Sequence, residues 1–464
     1  MPPIIATLVF ALGILGLFLL DRDPKARTSK ALWLPVTWLW ISGSREVSQW
    51  LGVGPRQAYI SMLEGNAFDR NILAVLLAMG FIVLLSRGKQ LGALLRANAA
   101  ILLFFAYCAV SIFWSDYPDV AFKRWIKALG DLVMVMIVLT DPNRSAAIKR
   151  LLARAAFVLL PVSVLLIKYY PSFGRHYSTE FTPVNTGVTR DKNMLGMVCL
   201  ILGLGSLWRF LQAYRDTEDT RTRQMIAYGI ILAMAAWLFW IANSMTSLAC
   251  FLLAGGLMAV TSMPALARKT SVVHLYMATM ISVSVFALFL DSGGRLVQAV
   301  GRDATLTGRT ELWDQIIPLV GNPFLGAGFE SFWLGERLIK LWTMYWWLPN
   351  EAHNGYLEVY LNLGLIGLFL MAVIIVTGYR KVIAAFRDSE IGQLRLAYFA
   401  TAIIYSLTEA GFRVRSPVWI FFLWAIIAIP KPSVSEDLDI SATMSSHDPV
   451  DLSLVSTRVY EQVR

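Results

Sequence analysis

The sequence predicts an all-α polytopic integral membrane protein, and three observations carry that prediction. Of 464 residues, 57% are hydrophobic and only 16% charged, with a mean hydropathy of +0.59. A soluble domain carries about 45–50% apolar and about 25% charged residues. The apolar residues gather into runs close to the roughly 17–25 residues that cross a bilayer. Between these runs, short loops dense in Lys and Arg alternate with loops of another character, the pattern that orients helices in a membrane. The net charge of +10 would suggest nucleic acid in a soluble chain. Here it is first a topological signal, and no nucleic-acid partner is expected.

In chain order the expected spans are 3–20, 31–43, 71–86, 97–114, 126–140, 155–170, 194–211, 225–242, 246–263, 273–290, 355–377, 396–410 and 416–430, about 12–13 transmembrane helices. The first run follows Met1-Pro2-Pro3 without a basic flank or a small-residue cleavage site, so it reads as a span rather than a signal peptide. The next connection, 21–30, carries Arg22, Lys25, Arg27 and Lys30; 87–96 carries Arg87, Lys89 and Arg96; 141–154 carries Arg144, Lys149, Arg150 and Arg154. The same side continues through Arg209–Arg223, Arg268-Lys269 and Arg380–Arg395. By the positive-inside rule these loops are cytoplasmic, which puts 44–70, 115–125, 171–193, 243–245, 291–354 and 411–415 on the outer face. Cys108, Cys199 and Cys250 fall inside apolar runs and are expected to pack as small apolar side chains. Beyond Pro430 and Pro432 the chain turns polar and is expected to be a disordered cytoplasmic tail. The expected divisions are 1–96 and 97–290 (N-terminal and central transmembrane helices), 291–354 (a large outer loop), 355–430 (C-terminal helices) and 431–464 (the tail).

Topology does not ask for positive charge on the outer face, yet those loops hold Arg45, Arg56, Arg70, Lys123, Arg124, Arg175, Arg190, Lys192, Arg295, Arg302, Arg309, Arg337, Lys340, Arg413 and Arg415. As a group they point to an anionic ligand. Within 291–354, Arg309–Ile317 places Leu312, Trp313, Ile316 and Ile317 at helical spacing, which predicts an amphipathic helix lying at the membrane interface. Trp342, Tyr345, Trp346 and Trp347 follow. They read as interfacial anchors or, alternatively, as faces on which sugars stack. The run Glu351-Ala352-His353-Asn354-Gly355 opens the next span. It sets a histidine at a helix start, where unpaired N–H groups favour an anion and where an imidazole is usable as a base near neutral pH.

The pattern His353-Asn354, nine residues, Gly364, two residues, Gly367 resembles the signature of the O-antigen ligase and Wzy-type polysaccharide polymerase superfamily. Leu306–Trp313, Gly321–Phe329 and Ala352–Leu357 are similar to the same family, as are Trp114-Ser115-Asp116-Tyr117-Pro118 with Arg124, and Arg190–Gly196. The likeness spans roughly residues 100–430 and is closer to exopolysaccharide polymerases than to ligases. It implies a metal-independent, inverting membrane glycosyltransferase of the GT-C type, with short helices in a large periplasmic loop and no cofactor. The implied donor is an undecaprenyl-diphosphate-linked oligosaccharide used at the periplasmic face of the bacterial inner membrane. The implied acceptor is another glycan or lipid A-core, with membrane lipids, a flippase and chain-length or export proteins as partners. His353, Arg309 and Arg190 match the family's catalytic residues, Arg175 being an alternative counterpart in the loop of Arg190. Arg124, Arg175, Arg295, Arg302, Asn354, Trp313 and Glu358 complete the expected substrate-binding set.

The residues agree with this implication on physical grounds. A diphosphate leaving group at a membrane surface needs fixed positive charge, which guanidinium supplies in bidentate geometry. Asp303, Glu311, Asp314, Glu330, Glu336 and Glu351 show no Asp-x-Asp pairing and no His or Cys companion, so no metal site is expected. The pairs Asp21/Asp23 and Asp437/Asp439 fall on the cytoplasmic side. Gly294-Arg295, Gly301-Arg302 and Gly308-Arg309 recur every seven residues and suggest a diphosphate cradle. Of the ionisable groups in or beside spans, Asp131 reads as structural, paired to Lys127, and Glu358 and Glu409 as site lining. A transporter or flippase of lipid-linked oligosaccharide is the alternative class. It calls for charge along a transmembrane cavity and for repeat symmetry, and neither is visible.

Overall fold

A computed structural model describes residues 1–23, 27–53, 65–177, 182–217, 220–263, 266, 269–286 and 306–429. Its α-helices of ten residues or more are α1 (Pro3–Leu20), α2 (Trp33–Ser42), α3 (Ala67–Ser86), α4 (Gly88–Ala97), α5 (Ala99–Val110), α6 (Pro118–Leu139), α7 (Arg144–Tyr169) and α8 (Lys192–Arg215). They continue as α9 (Arg221–Ala242), α10 (Met245–Ser262), α11 (Thr270–Val285), α12 (Leu306–Ile316), α13 (Gly335–Met344), α14 (Gly355–Asp388), α15 (Gly392–Thr408) and α16 (Pro417–Ile426). A short antiparallel hairpin, β1 (Arg175–Tyr177) with β2 (Pro183–Asn185), pairs Arg175 with Asn185.

The all-α membrane class is borne out. Among the described residues α1, α3, α7, α8, α9, α10 and α14 are long and apolar enough to cross a bilayer. The pair α4–α5, continued to Trp114, is apolar enough only when taken together and bends by 87°, the geometry of a broken span or a re-entrant pair. Asn98 makes that bend: its side-chain amide donates to the Leu94 carbonyl at 2.7 Å, and Lys381 of α14 donates to its Oδ1 at 2.8 Å. The expected span 31–43 is a 3₁₀ turn followed by the ten-residue α2, and 416–430 is the ten-residue α16. Both are too short to cross straight through hydrocarbon, and both are buried among other helices. The expected span 126–140 is the second half of a longer helix that begins at Pro118, where proline is tolerated because a first-turn N–H has no partner anyway.

Two helices organise the bundle. α8 packs on α7, α9 and α10, and α15 packs on α10, α14 and α16. Both are buried along most of their length, whereas α1 exposes almost all its apolar surface, as a helix bathed in lipid can. Asp131 of α6 lies at the heart of this packing. It accepts from Trp38 Nε1 of α2 and from the backbone N–H of Arg415, both at 2.8 Å. It is structural as expected, with those partners instead of Lys127. The three cysteines are buried and unbridged.

The segment 306–354 builds a small core of its own from Leu312, Ile316, Phe332, Leu338, Leu341 and Ala352, joined by Leu361 of α14. Here the structure corrects an expectation. The apolar face of α12 packs into this core, with Leu312 and Ile316 wholly buried, instead of lying on lipid, because α13 and the loop after it supply a closer apolar partner.

Candidate functional site

One end of the bundle gathers the loops 43–46, 187–191, 243–244, 306–354 and 409–416. All five described non-glycine residues with positive φ lie in these loops: Asn243, Glu330, Leu348, His353 and Arg415. A side-chain-bearing residue held there is strained, and such strain collects where a fold serves a site.

The start of α14 fixes His353. Asn354 is the helix cap, its Oδ1 accepting from the Tyr356 and Leu357 backbones at 3.0 and 2.9 Å while its Nδ2 donates to the Leu407 carbonyl at 3.0 Å. Glu358 accepts from Ala352 N at 2.5 Å and from Trp333 Nε1 at 3.0 Å, and Trp313 Nε1 donates to the Ala352 carbonyl at 2.8 Å. The strand of backbone that carries His353 is therefore clamped on both sides. Asn354, Trp313 and Glu358, expected as substrate contacts, have their polar atoms committed to this clamp.

The imidazole sits inside a chain of alternating charge. His353 Nδ1 lies 3.0 Å from Glu351 Oε1 and 3.2 Å from Glu409 Oε2. Glu351 Oε2 is bound by Arg413 Nη1 at 2.8 Å, and Glu409 Oε1 by Arg309 Nη2 at 3.3 Å. Arg309 Nη1 also donates to the Thr408 carbonyl at 2.5 Å. Burial alone disfavours the imidazolium, but hydrogen bonds and charge from Glu351 and Glu409 outweigh it and raise the pKa of His353 to about 9. Burial likewise works against ionised Glu351, yet His353 and Arg413 hold it down at about 2. At neutral pH the imidazole is therefore held as a cation between two glutamates, each bound in turn by an arginine.

A second group adjoins it. Glu46 Oε1 takes Arg415 Nη1 at 2.8 Å and Arg190 Nη1 at 3.9 Å. Arg190 and Asp191 are near enough to Arg413 and Glu351 respectively to feel their charge. The two groups together bring Arg190, Arg309, Arg413, Arg415 and His353 against Glu46, Asp191, Glu351 and Glu409, with Glu330 and Glu358 also near enough to Arg413 to act on its charge. Arg190 is half-exposed, and among the described residues its one ion pair is the loose contact with Glu46.

The remaining expected contacts scatter. Arg175 stands on the exposed hairpin, where its Nε donates to the Ile167 carbonyl at 3.2 Å. Arg124 of α6 donates to the Glu330 carbonyl and so braces the loop beneath the site. Arg295 and Arg302, with the upstream part of the expected cradle, lie outside the described residues.

Sequence reasoning missed Glu46 and Asp191, named Arg413 and Arg415 only among outer charges, and took Glu351 to have no histidine companion. The last point is corrected: Glu351, His353 and Glu409 each offer a ligand atom within 4.8 Å of the others, the spacing a divalent cation uses. The donor set fits a cation poorly, because both carboxylates already carry guanidinium partners and the imidazole holds a proton that a metal must displace. The usable signals were the Glu-x-His spacing at 351–353 and a glutamate and two arginines crowded into the 409–415 connection.

Residues 194–372 match the family model described as O-Antigen ligase. The chain is also 27% identical to the exopolysaccharide production protein ExoQ of Rhizobium meliloti (strain 1021), over 308 residues that make up 62% of this chain and 67% of that protein. The two findings bear out the resemblance to the O-antigen ligase and Wzy-type superfamily and support a ligase- or polymerase-type role in polysaccharide biosynthesis. They also agree with the multi-pass membrane architecture. The family match takes in Arg309, His353, Gly364 and Gly367 but stops short of Glu409, Arg413 and Arg415.

Proposed function

We propose that this chain is a metal-independent, inverting glycosyltransferase that polymerises undecaprenyl-diphosphate-linked oligosaccharide at the periplasmic face of the inner membrane. The observation that carries the reading is the charge chain from Arg413 to Arg309, with Arg190 beside it. It joins one titratable base to several guanidinium groups at the end of a membrane bundle. In the step we assign to it, an acceptor hydroxyl attacks the anomeric carbon of the donor sugar. The new C–O bond forms as the bond from that carbon to the diphosphate oxygen breaks. The hydroxyl proton passes to His353 Nε2, the ring nitrogen outside the charge chain, from the fraction of molecules in which the ring is neutral. Glu351 and Glu409 hold the ring by its other nitrogen. Charge on the departing undecaprenyl diphosphate is met by Arg190, Arg309 and Arg413, which the fold holds in place before the reaction. The charge gathers at one end of the bundle instead of along a transmembrane cavity, which favours an enzyme over a flippase.

Transfer to lipid A-core is the second reading, favoured by the family description, while the identity to an exopolysaccharide production protein favours polymerisation. Purified protein in nanodiscs, given an undecaprenyl-diphosphate-linked repeat unit with and without lipid A-core, separates them. We expect a ladder of longer glycans that persists in EDTA. Glycan moved onto the core assigns ligation, loss of product in EDTA ends the metal-free reading, and translocation without any new glycosidic bond ends the enzyme reading.

A further inference from the structure

The segment 306–354 carries five tryptophans, and the structure divides them by use. Trp313, Trp333 and Trp342 give their indole N–H groups to the Ala352 carbonyl, the Glu358 carboxylate and the Pro349 carbonyl. They are parts of the scaffold. Trp346 and Trp347 are 73% and 37% exposed, and among the described residues neither indole N–H has a hydrogen-bond partner. The two differ in what their rings meet. Trp347 lies 6.4 Å from the His353 ring, inclined at 34°, and 5.7 Å from Tyr345, whereas Trp346 has no ring contact among the described residues. A tight turn holds this arrangement, closed by Leu348 N–H to the Tyr345 carbonyl at 3.1 Å with Leu348 at φ 52°.

A half-exposed indole at the edge of a network of guanidinium and carboxylate groups suits a ligand that is apolar on one face and polar along its edges. An acyl chain would satisfy the ring but leave Glu351, Glu409 and Arg413 facing hydrocarbon, which is costly. A pyranose presents C–H groups to the ring and hydroxyls to the charged groups beside it. We propose that Trp347 is the stacking face of a sugar subsite next to His353, occupied by the acceptor sugar whose hydroxyl reacts. This inference rests on the transferase reading above and assigns a binding residue to the same site.

The test measures binding of an undecaprenyl-diphosphate-linked disaccharide and of undecaprenyl diphosphate without sugar to the nanodisc-held protein, together with the acceptor KM and kcat of turnover. Wild type is expected to prefer the glycosylated lipid. Trp347→Ala should weaken that lipid about tenfold, equivalent to about 1.4 kcal/mol, leave the sugarless lipid unchanged, and raise acceptor KM with little change in kcat. Trp347→Phe should restore most of the loss, which a merely misfolded variant would not show, and Trp346→Ala should behave as wild type. Unchanged glycan binding in Trp347→Ala, or equal weakening of both lipids, overturns the subsite alone. A wild-type protein that binds neither lipid overturns the transferase reading and the subsite with it.

Discussion

His353 presents one ring nitrogen to two carboxylates, its Nδ1 lying 3.0 Å from Glu351 and 3.2 Å from Glu409. Its position at a helix start suggests a neutral base, but the two glutamates around Nδ1 make it a cation at rest, with a pKa raised to about 9. At pH 7 about 1% of the rings are neutral and at pH 9 about half, so a rate that depends on His353 as base climbs between those values. Initial rates at saturating donor should rise across that range and flatten above it, while a flat or falling profile would leave the imidazolium an electrostatic role only. The groups that raise this pKa are Glu351 and Glu409, which Arg413 and Arg309 hold in place. Arg309→Ala should lower product formation by about 10²-fold or more, since it removes a fixed charge and loosens Glu409. Arg309→Lys should recover only part, because an ammonium cannot reach the Thr408 carbonyl and Glu409 together as the guanidinium fork does. Equal activity in both variants and wild type would take Arg309 out of the site.

At the scale of elements, α14 explains why His-Asn is followed by a glycine at 364. Asn354 caps its start, and Gly364 breaks it with φ 64° and ψ −162°. The backbone groups freed by that break pair with the preceding loop: Leu365 N–H donates to the Pro323 carbonyl at 2.9 Å, and Ala327 N–H donates to Leu361 O at 3.0 Å. A Cβ at Gly364 would stand 2.3 Å from the Phe324 carbonyl, so the loop can dock only where this residue is glycine. Through that dock the 322–327 loop and the helix bearing His353 become one piece. Gly364→Ala should cost about 1–3 kcal/mol from backbone strain alone, with further loss from the clash, and should lower the apparent Tm in detergent. Gly321→Ala, where a Cβ meets nothing, should stay within about 0.5 kcal/mol of wild type. Matching melting curves for the two variants would show that the break is not required.

For the whole molecule, the decisive property is that the charged site lies at the end opposite the loops richest in Lys and Arg. Because the native cysteines are all buried, single introduced cysteines report sidedness against a low background. A membrane-impermeant maleimide applied to spheroplasts should label Asp314→Cys at once and Lys89→Cys only after permeabilisation. The reverse order would place the site in the cytoplasm and remove the proposed periplasmic reaction.

How much the sequence yields depends on the range of the forces involved. The membrane class, the alternation of basic loops, the unusual charge of the outer segments and the His353 landmark all follow from short-range pattern, because a bilayer imposes its demand on each run of residues separately. Arg309 and His353 are legible in the same way, through short motifs that resemble those of a known family. What the sequence leaves open is which acid answers which base. Glu409 lies 56 residues from His353 and 100 from Arg309, and Glu46 meets Arg415 across 369 residues. No local pattern links them, since the pairing arises only when α2, α8, α14 and α15 are packed and their loops meet at one end. The sequence by itself determined that this chain lives in a membrane and carries a cationic face with a histidine. Only the tertiary structure decided that the histidine is charged, which glutamates hold it and which tryptophan stands beside it, because a buried charge takes its state from neighbours that folding, not sequence order, brings within about 4 Å.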